Sequence, residues 1–184
     1  MKLLHIDSAI TGEASVSRKL TADVVARLRR AHPYAEVSYR DLVSDPLDHL
    51  TLADMPAPGE STAVLDQFLA ADVAVIGAPM YNFTLSTQLK AWIDRILVAG
   101  KTFRYSETGP VGLVPDKRII IAVSRGDRYS EGAPAEHLET YLRVAFGFIG
   151  VTPEFVIAEG MLIGPEARDA AVANAEQAVA ALAA

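Results

Sequence analysis

VAVIGAPMYNF, residues 73–83, is the stretch on which the fold turns. It opens with Val73-Ala74-Val75-Ile76, an unbroken apolar run of the kind found in strands buried on both faces. Gly77 and Pro79 then lead into a tight polar turn, and a helix follows at once. Leu85, Leu89, Trp92, Ile93, Ile96 and Leu97 recur at i, i+4, i+7, i+8, i+11 and i+12, one apolar stripe at helical period. Thr84 or Ser86 can cap its start, and Gly100 stands where a C-terminal cap belongs. Residues 79–83 therefore fall at the carboxyl end of a central strand, the edge of an open α/β sheet where ligands bind.

Outward from this strand the same alternation repeats. KLLHID (2–7) reads as a first strand, the segment 9–15 has turn chemistry, and a helix is expected from about Ser17 to Ala31, closed by Pro33. EVSYRDL (36–42) alternates like a more exposed second strand. Residues 44–60, with Pro46, Pro56 and Pro58, read as a loop or short irregular helix, and a short helix over about 61–70 leads into Val73. After Gly100 an excursion over about 101–115 carries Phe103, Tyr105, Gly109-Pro110 and Gly112, and fits a hairpin. Long connections in compact domains are usually lids or binding loops. RIIIAV (118–123) is a fourth buried strand, a helix is expected over about 135–148, PEFVIA (153–158) is a fifth strand, and an Ala-rich helix from about Glu166 closes the chain. Strands alternating with helices imply a parallel sheet covered on both faces. Five strands fit the flavodoxin-like order 2-1-3-4-5 in one domain over residues 1–184.

Composition removes whole classes of chemistry. The chain has 184 residues and no cysteine, which excludes disulfides, thiolate catalysis and Cys-type metal or cluster sites. The formal net charge of −6 and the lack of a basic face argue against nucleic acid. The one basic cluster, Arg27, Arg29 and Arg30, falls at a helix end, where cations complement the dipole. No apolar run of about 18 residues exists, so no membrane span is expected. The N-terminal block turns acidic at Asp7, too early for a signal peptide, and a cytoplasmic location is the default. The histidines His5, His32, His49 and His137 are scattered, so no metal is expected.

The order 2-1-3-4-5 sets strands one, three and four side by side, and their carboxyl ends carry three loops. The first holds Ser8 and Ser15-Val16-Ser17 and enters a helix N-terminus, where free N–H groups and the dipole favour phosphate. Taken alone, Ser15 or Ser17 reads more readily as a plain N-cap. The second, Met80-Tyr81-Asn82-Phe83, offers apolar surface for a flat ring and an amide for its polar edge. Three large residues in a row at such a turn cannot all point inward. The third, Ser124-Arg125-Gly126-Asp127, offers a guanidinium that can offset ligand charge and a glycine that lets backbone approach. Residues alone support a parallel α/β domain with a ligand site at three strand ends.

Ala78-Pro79-Met80-Tyr81-Asn82-Phe83 with Ser86-Thr87-Gln88-Leu89-Lys90 resembles the FMN-dependent NADH azoreductases, also called FMN-dependent NADH:quinone oxidoreductases. So do Thr102-Phe103-Arg104-Tyr105, Ser124-Arg125-Gly126, Gly147-Phe148-Ile149-Gly150 and Ala158-Glu159-Gly160. The resemblance implies a flavodoxin-like fold, non-covalent FMN, a homodimer with sites at the interface, and ping-pong reduction of quinones and azo compounds by NADH. It assigns phosphate contacts to Ser8, Ser15, Val16 and Ser17, and ring and ribityl contacts to Met80, Tyr81, Asn82 and Phe83. Further ring-edge contacts fall to Ser124, Arg125, Gly126 and Asp127. Asn82, Tyr105 and Phe148 would line the substrate side, the last two from the partner subunit. No side chain is assigned a catalytic role, since the cofactor carries the chemistry. The chain departs from the pattern at Val16, where a polar residue is common, and at Asp127, where a second glycine is common. The stretch between strand two and the short helix also looks shortened. The alternatives are an FMN-binding electron carrier with no NADH reaction of its own, and a colourless nucleotide-binding or phosphatase-like domain.

Overall fold

The computed structural model describes residues 1–57, 59–130 and 132–183. In chain order the elements are β1 (Lys2–Asp7), α1 (Val16–Ala31), β2 (Glu36–Asp41), α2 (Ala63–Ala70), β3 (Val73–Pro79), α3 (Thr87–Ile96), β4 (Phe103–Ser106), β5 (Gly109–Gly112), β6 (Arg118–Arg125), α4 (Leu138–Phe148), β7 (Glu154–Glu159) and α5 (Pro165–Ala181). The main sheet runs β2-β1-β3-β6-β7, every pairing parallel. With the β4–β5 hairpin set aside, this is the expected flavodoxin-like order. β3 lies at the centre and is buried from end to end, as its unbroken apolar sequence requires.

Alternate residues of the strands feed two cores. Leu3, Val75 and Ile120 pack under α1 and α5 with Leu20, Val24 and Ala175. Leu4, Ile76 and Ile121 pack on the other face under α2, α3 and α4 with Phe68, Trp92 and Phe146. The Phe68 and Trp92 rings meet edge to face, centroids 5.7 Å apart. Gly77 is demanded by its neighbours rather than by its own backbone. A Cβ there would stand 2.7 Å from Asp7 Oδ1, so any side chain would displace a buried carboxylate.

Local chemistry refines three boundaries. Ser86, not Thr84, caps α3, its hydroxyl accepting the Leu89 N–H at 3.2 Å. Gly100 is no C-cap: α3 ends at Ile96, and Gly100, at φ 78°, turns the chain into the hairpin by donating its N–H to Phe103 O. α4 begins at Leu138 because the Glu136 carboxylate takes the N–H groups of Glu139 and Thr140, leaving residues 135–137 outside the helix. Residues 44–57, 59 and 60 form no helix, and Pro58 lies outside the described residues. The 101–115 excursion is an antiparallel hairpin in which Phe103 faces Gly112. Gly112 fits flush on the end of α4, where a Cβ would overlap Gly150 N.

Candidate functional site

The carboxyl ends of β1, β3 and β6 are bonded to one another before any ligand is considered. Ile10 donates its N–H to the Tyr81 hydroxyl at 3.1 Å, tying the first loop to the second. Met80 donates its N–H to Ser124 O at 2.8 Å, tying the second to the third. The three loops form one rim.

In the first loop the hydroxyls are turned inward. Ser8, fully buried, gives its proton to Gly77 O at 2.7 Å. Ser15 caps α1 by accepting the Arg18 N–H, and shares a 3.0 Å hydrogen bond with buried Ser17. Ser8 has given its proton away, whereas Ser15 and Ser17 share one bond and keep one O–H proton between them for a ligand. The N–H groups of Val16 and Ser17 remain, first-turn donors with no acceptor among the described residues. Asp7 points away from Ser8's neighbours in the rim, toward α1 and β2, where it accepts from Thr21 Oγ1 at 2.8 Å and the Tyr39 hydroxyl at 3.1 Å. His5 Nε2 stands 3.4 Å from the same carboxylate. Burial of the Tyr39 hydroxyl beside Asp7 pushes its pKa up to about 12.

Arg18 holds the first loop in shape. Its Nε and Nη2 both donate to Ala9 O, and its fork grips Asp41 at 2.7 and 3.0 Å. The Arg18 bond holds the Asp41 carboxyl below the usual carboxylate range.

The second loop is a two-residue reversal. Tyr81 and Thr84 exchange N–H···O bonds of 2.8 and 3.1 Å around Asn82 and Phe83. Both central residues have positive φ, 47° and 73°, as in a type I′ turn. Asn tolerates that region; for Phe it is a costly conformation of the kind kept at functional sites. It turns Phe83 out until it is 55% exposed, while Met80 packs back against the core.

In the third loop Arg125 is already paired within the protein. Its guanidinium is buried and belongs to carboxylates: Glu159 at 2.8 and 3.0 Å, Glu136 at 3.5 Å and Glu139 at 3.6 Å. It also lies 5.2 Å from the Tyr129 ring centroid. With its charge compensated three times over, it has none to lend a ligand. Its position still lines the site, and Glu159 carries the clasp onward by accepting the Tyr129 N–H. Burial works to raise the Glu136 pKa, but hydrogen bonds from Glu139 N–H and from Thr140 outweigh it and hold it low. Asp127 is exposed and accepts the Arg128 N–H.

Between the loops runs a trough in two connected parts that share Met80, Gly126 and Leu162. One part, about 320 Å³, is lined by Ser15 and Val16, with Ser124, Arg125, Met161 and Arg168. The other, about 540 Å³, is lined by Asn82, Phe83, Asp127, Tyr129 and Ile163. The residues fit FMN on the structure's own terms: two unpaired helix N–H groups at one end, a mixed wall of Met80, Phe83, Leu162 and Ile163 with polar Asp127 and Tyr129 at the other, and an amide held out by a positive φ. Tyr105 and Phe148 line neither part. They sit on the hairpin and at the end of α4, stacked on Phe103 at 5.5 and 4.5 Å, with Tyr105 73% exposed. Residues 160–163, which follow β7, form a wall of the trough that the sequence reading did not assign. The signal was there, since the strand order places the end of β7 beside the end of β6. Among the described residues no group of three or more His, Asp or Glu side chains could hold a metal ion.

A family model described as "Flavodoxin-like fold" matches residues 1–183. An FMN-dependent NADH:quinone oxidoreductase 2 from Bradyrhizobium diazoefficiens is 56% identical over 199 aligned positions, covering 99% of this chain and 98% of the relative. The chain belongs to the FMN-dependent NADH:quinone oxidoreductase family. The aligned span exceeds the 184 residues present, so this member is the shorter of the two. The solved azoreductase from Bacillus anthracis str. Sterne superposes with a TM-score of 0.85 at 32% identity, covering 98% of this chain and 97% of that one. A second Bacillus anthracis protein, an FMN-dependent NADH-azoreductase solved in complex with FMN, shares the fold at a TM-score of 0.81 and 24% identity over the whole of both chains. No helix among the described residues is long and apolar enough to cross a membrane.

Proposed function

We infer that this chain is an FMN-dependent NADH:quinone oxidoreductase that also reduces azo compounds, and that the trough is its cofactor and substrate site. The observation that carries the assignment of the site is the shared wall of the two cavities: Met80, Gly126 and Leu162 line both the part that reaches the start of α1 and the part that holds Asn82 and Phe83. FMN, when bound, would supply the two-electron chemistry between NADH and a quinone or azo acceptor. The protein holds and shields. Val16 and Ser17 offer their N–H groups to the phosphate, and the Ser15 cap keeps those groups aimed outward. Met80, Phe83 and Leu162 exclude water from the ring, and Asn82 offers its amide to the ring's polar edge. Donors fixed near a flavin set its potential.

The proposal includes a homodimer. Tyr105, stiffened by Phe103 and Phe148 yet pointing away from its own chain, is suited to close a partner's slot from above. It also includes a cytoplasmic location, where NADH is available. The test is a visible spectrum of the purified protein followed by anaerobic addition of NADH. The yellow colour should bleach and return when a quinone is added. Yellow protein that NADH does not bleach would leave an electron carrier, and protein that takes up no flavin would end the reading.

A further inference from the structure

We propose that Arg168, on α5, is the cation that anchors the FMN phosphate in this protein. The inference rests on the FMN reading and adds a residue to it. α1 and α5 lie side by side on one face of the sheet and both begin at the rim. Arg168, one turn into α5, therefore reaches the same cavity as Ser15 and Val16.

Elimination singles it out. A phosphate monoester brings close to two negative charges into a protein whose own net charge is −6. The nearby hydroxyls carry no charge to offset it: Ser8 gives its proton to Gly77 O, and Ser15 and Ser17 share one bond that leaves a single O–H proton between them. Val16 brings no side-chain donor. Two guanidiniums line this part of the trough, and Arg125 is held by Glu159, Glu136 and Glu139. The nearby cations of α1 are committed as well, Arg18 to Asp41 and Ala9 O, and Lys19 to Glu176. Arg168 alone of these has no side-chain hydrogen bond or ion pair among the described residues, although Glu166 shares its turn of helix and Glu13 stands in the first loop. It is exposed and long enough to swing, and a guanidinium fork matches phosphate oxygens in pairs. Helix N–H groups then position the phosphate while Arg168 neutralises it.

Riboflavin, which lacks the phosphate, isolates the effect. Dissociation constants for FMN and riboflavin would be measured by flavin fluorescence on the apoprotein, for wild type, Arg168→Ala and Arg168→Lys, at low and high salt. Arg168→Ala should weaken FMN about tenfold at low salt and leave riboflavin unchanged. The loss should shrink as salt rises, and Arg168→Lys should restore much of it. Unchanged FMN affinity in Arg168→Ala, or an equal loss for both flavins, would overturn the inference while leaving the FMN reading intact. A wild-type protein that binds neither flavin would bring down both.

Discussion

Two arginines, Arg18 and Arg125, flank the trough, one behind the first loop and one behind the third, and they are buried in different company. Arg18 meets one carboxylate head-on, Asp41, with Asp7 farther off at 3.8 Å, and spends its remaining donors on the carbonyl of Ala9. Arg125 meets three carboxylates drawn from three places: the end of β7, the approach to α4 and the first turn of α4. The first is a local staple between a loop and an edge strand. The second joins the ends of β6 and β7 to the start of α4. Neither is free to serve a ligand. An arginine beside a binding loop is thus as readily part of the loop's frame as of its chemistry, and only its partners tell which.

The largest effect should come from breaking the second clasp. Arg125→Ala leaves Glu136, Glu139 and Glu159 without their shared cation, and removing one partner from a buried ion pair costs about 3 kcal/mol or more. In a chain of this size that is a Tm drop on the order of 10 °C by calorimetry. If the Tm held and only FMN affinity fell, Arg125 would be a ligand residue and the comparison would collapse.

Arg18→Ala should cost less, about 1–2 kcal/mol at neutral pH by urea unfolding, because Asp41 and Ala9 O can turn to water. The two clasps also differ in acid. Asp41 is held low chiefly by Arg18, so its folded pKa lies below its unfolded value. The stability it contributes is present above the unfolded pKa of roughly 4 and is lost as pH falls through the folded value. Arg18→Ala should remove that part of the acid-side decline. Glu136 is held low mainly by hydrogen bonds from Glu139 and Thr140, with Arg125 a lesser influence, so its part of the decline should survive in the Arg18 variant. A variant whose stability falls with acid as steeply as wild type would show that Arg18 is not what holds Asp41 ionised.

The smallest effect concerns the charge the third loop leaves uncompensated. Asp127 lines the part of the trough that holds Asn82 and Phe83 and is exposed to water. Asp127→Gly should raise the potential of bound FMN by about 10 mV, the equivalent of roughly 0.5 kcal/mol for a two-electron couple in high dielectric. Spectroelectrochemistry would read it. A lower potential in the variant would mean the carboxylate turns away and the glycine alters the backbone instead.

Much of this was legible in one dimension. The apolar runs at Val73 and Ile119 fixed which strands are central, and the stripe from Leu85 to Ile96 fixed the helix between them. Alternation between strand and helix then leaves few topologies. The MYNF turn stands out in the sequence because three large residues in a row at a strand end cannot all point inward. What the chain's order could not reveal was which polar groups are already satisfied. Ser8 and Arg125 have the chemistry of ligand contacts, and in the folded chain they are engaged by Gly77 O and a set of glutamates, while Ser17 shares one bond with Ser15. Arg168 shows the converse, since nothing around it in sequence marks a residue that lines this cavity.

Hydrophobic period and glycine placement, which act over a few residues, were enough to determine the elements and their order in this protein. The state of each hydrogen-bonding group depends on partners far along the chain: Ser8 on Gly77, Arg125 on Glu159, Val16 on a cavity it shares with Arg168. A buried donor is closed or open according to what packs against it in three dimensions, and that was decided only when the helices settled on the sheet.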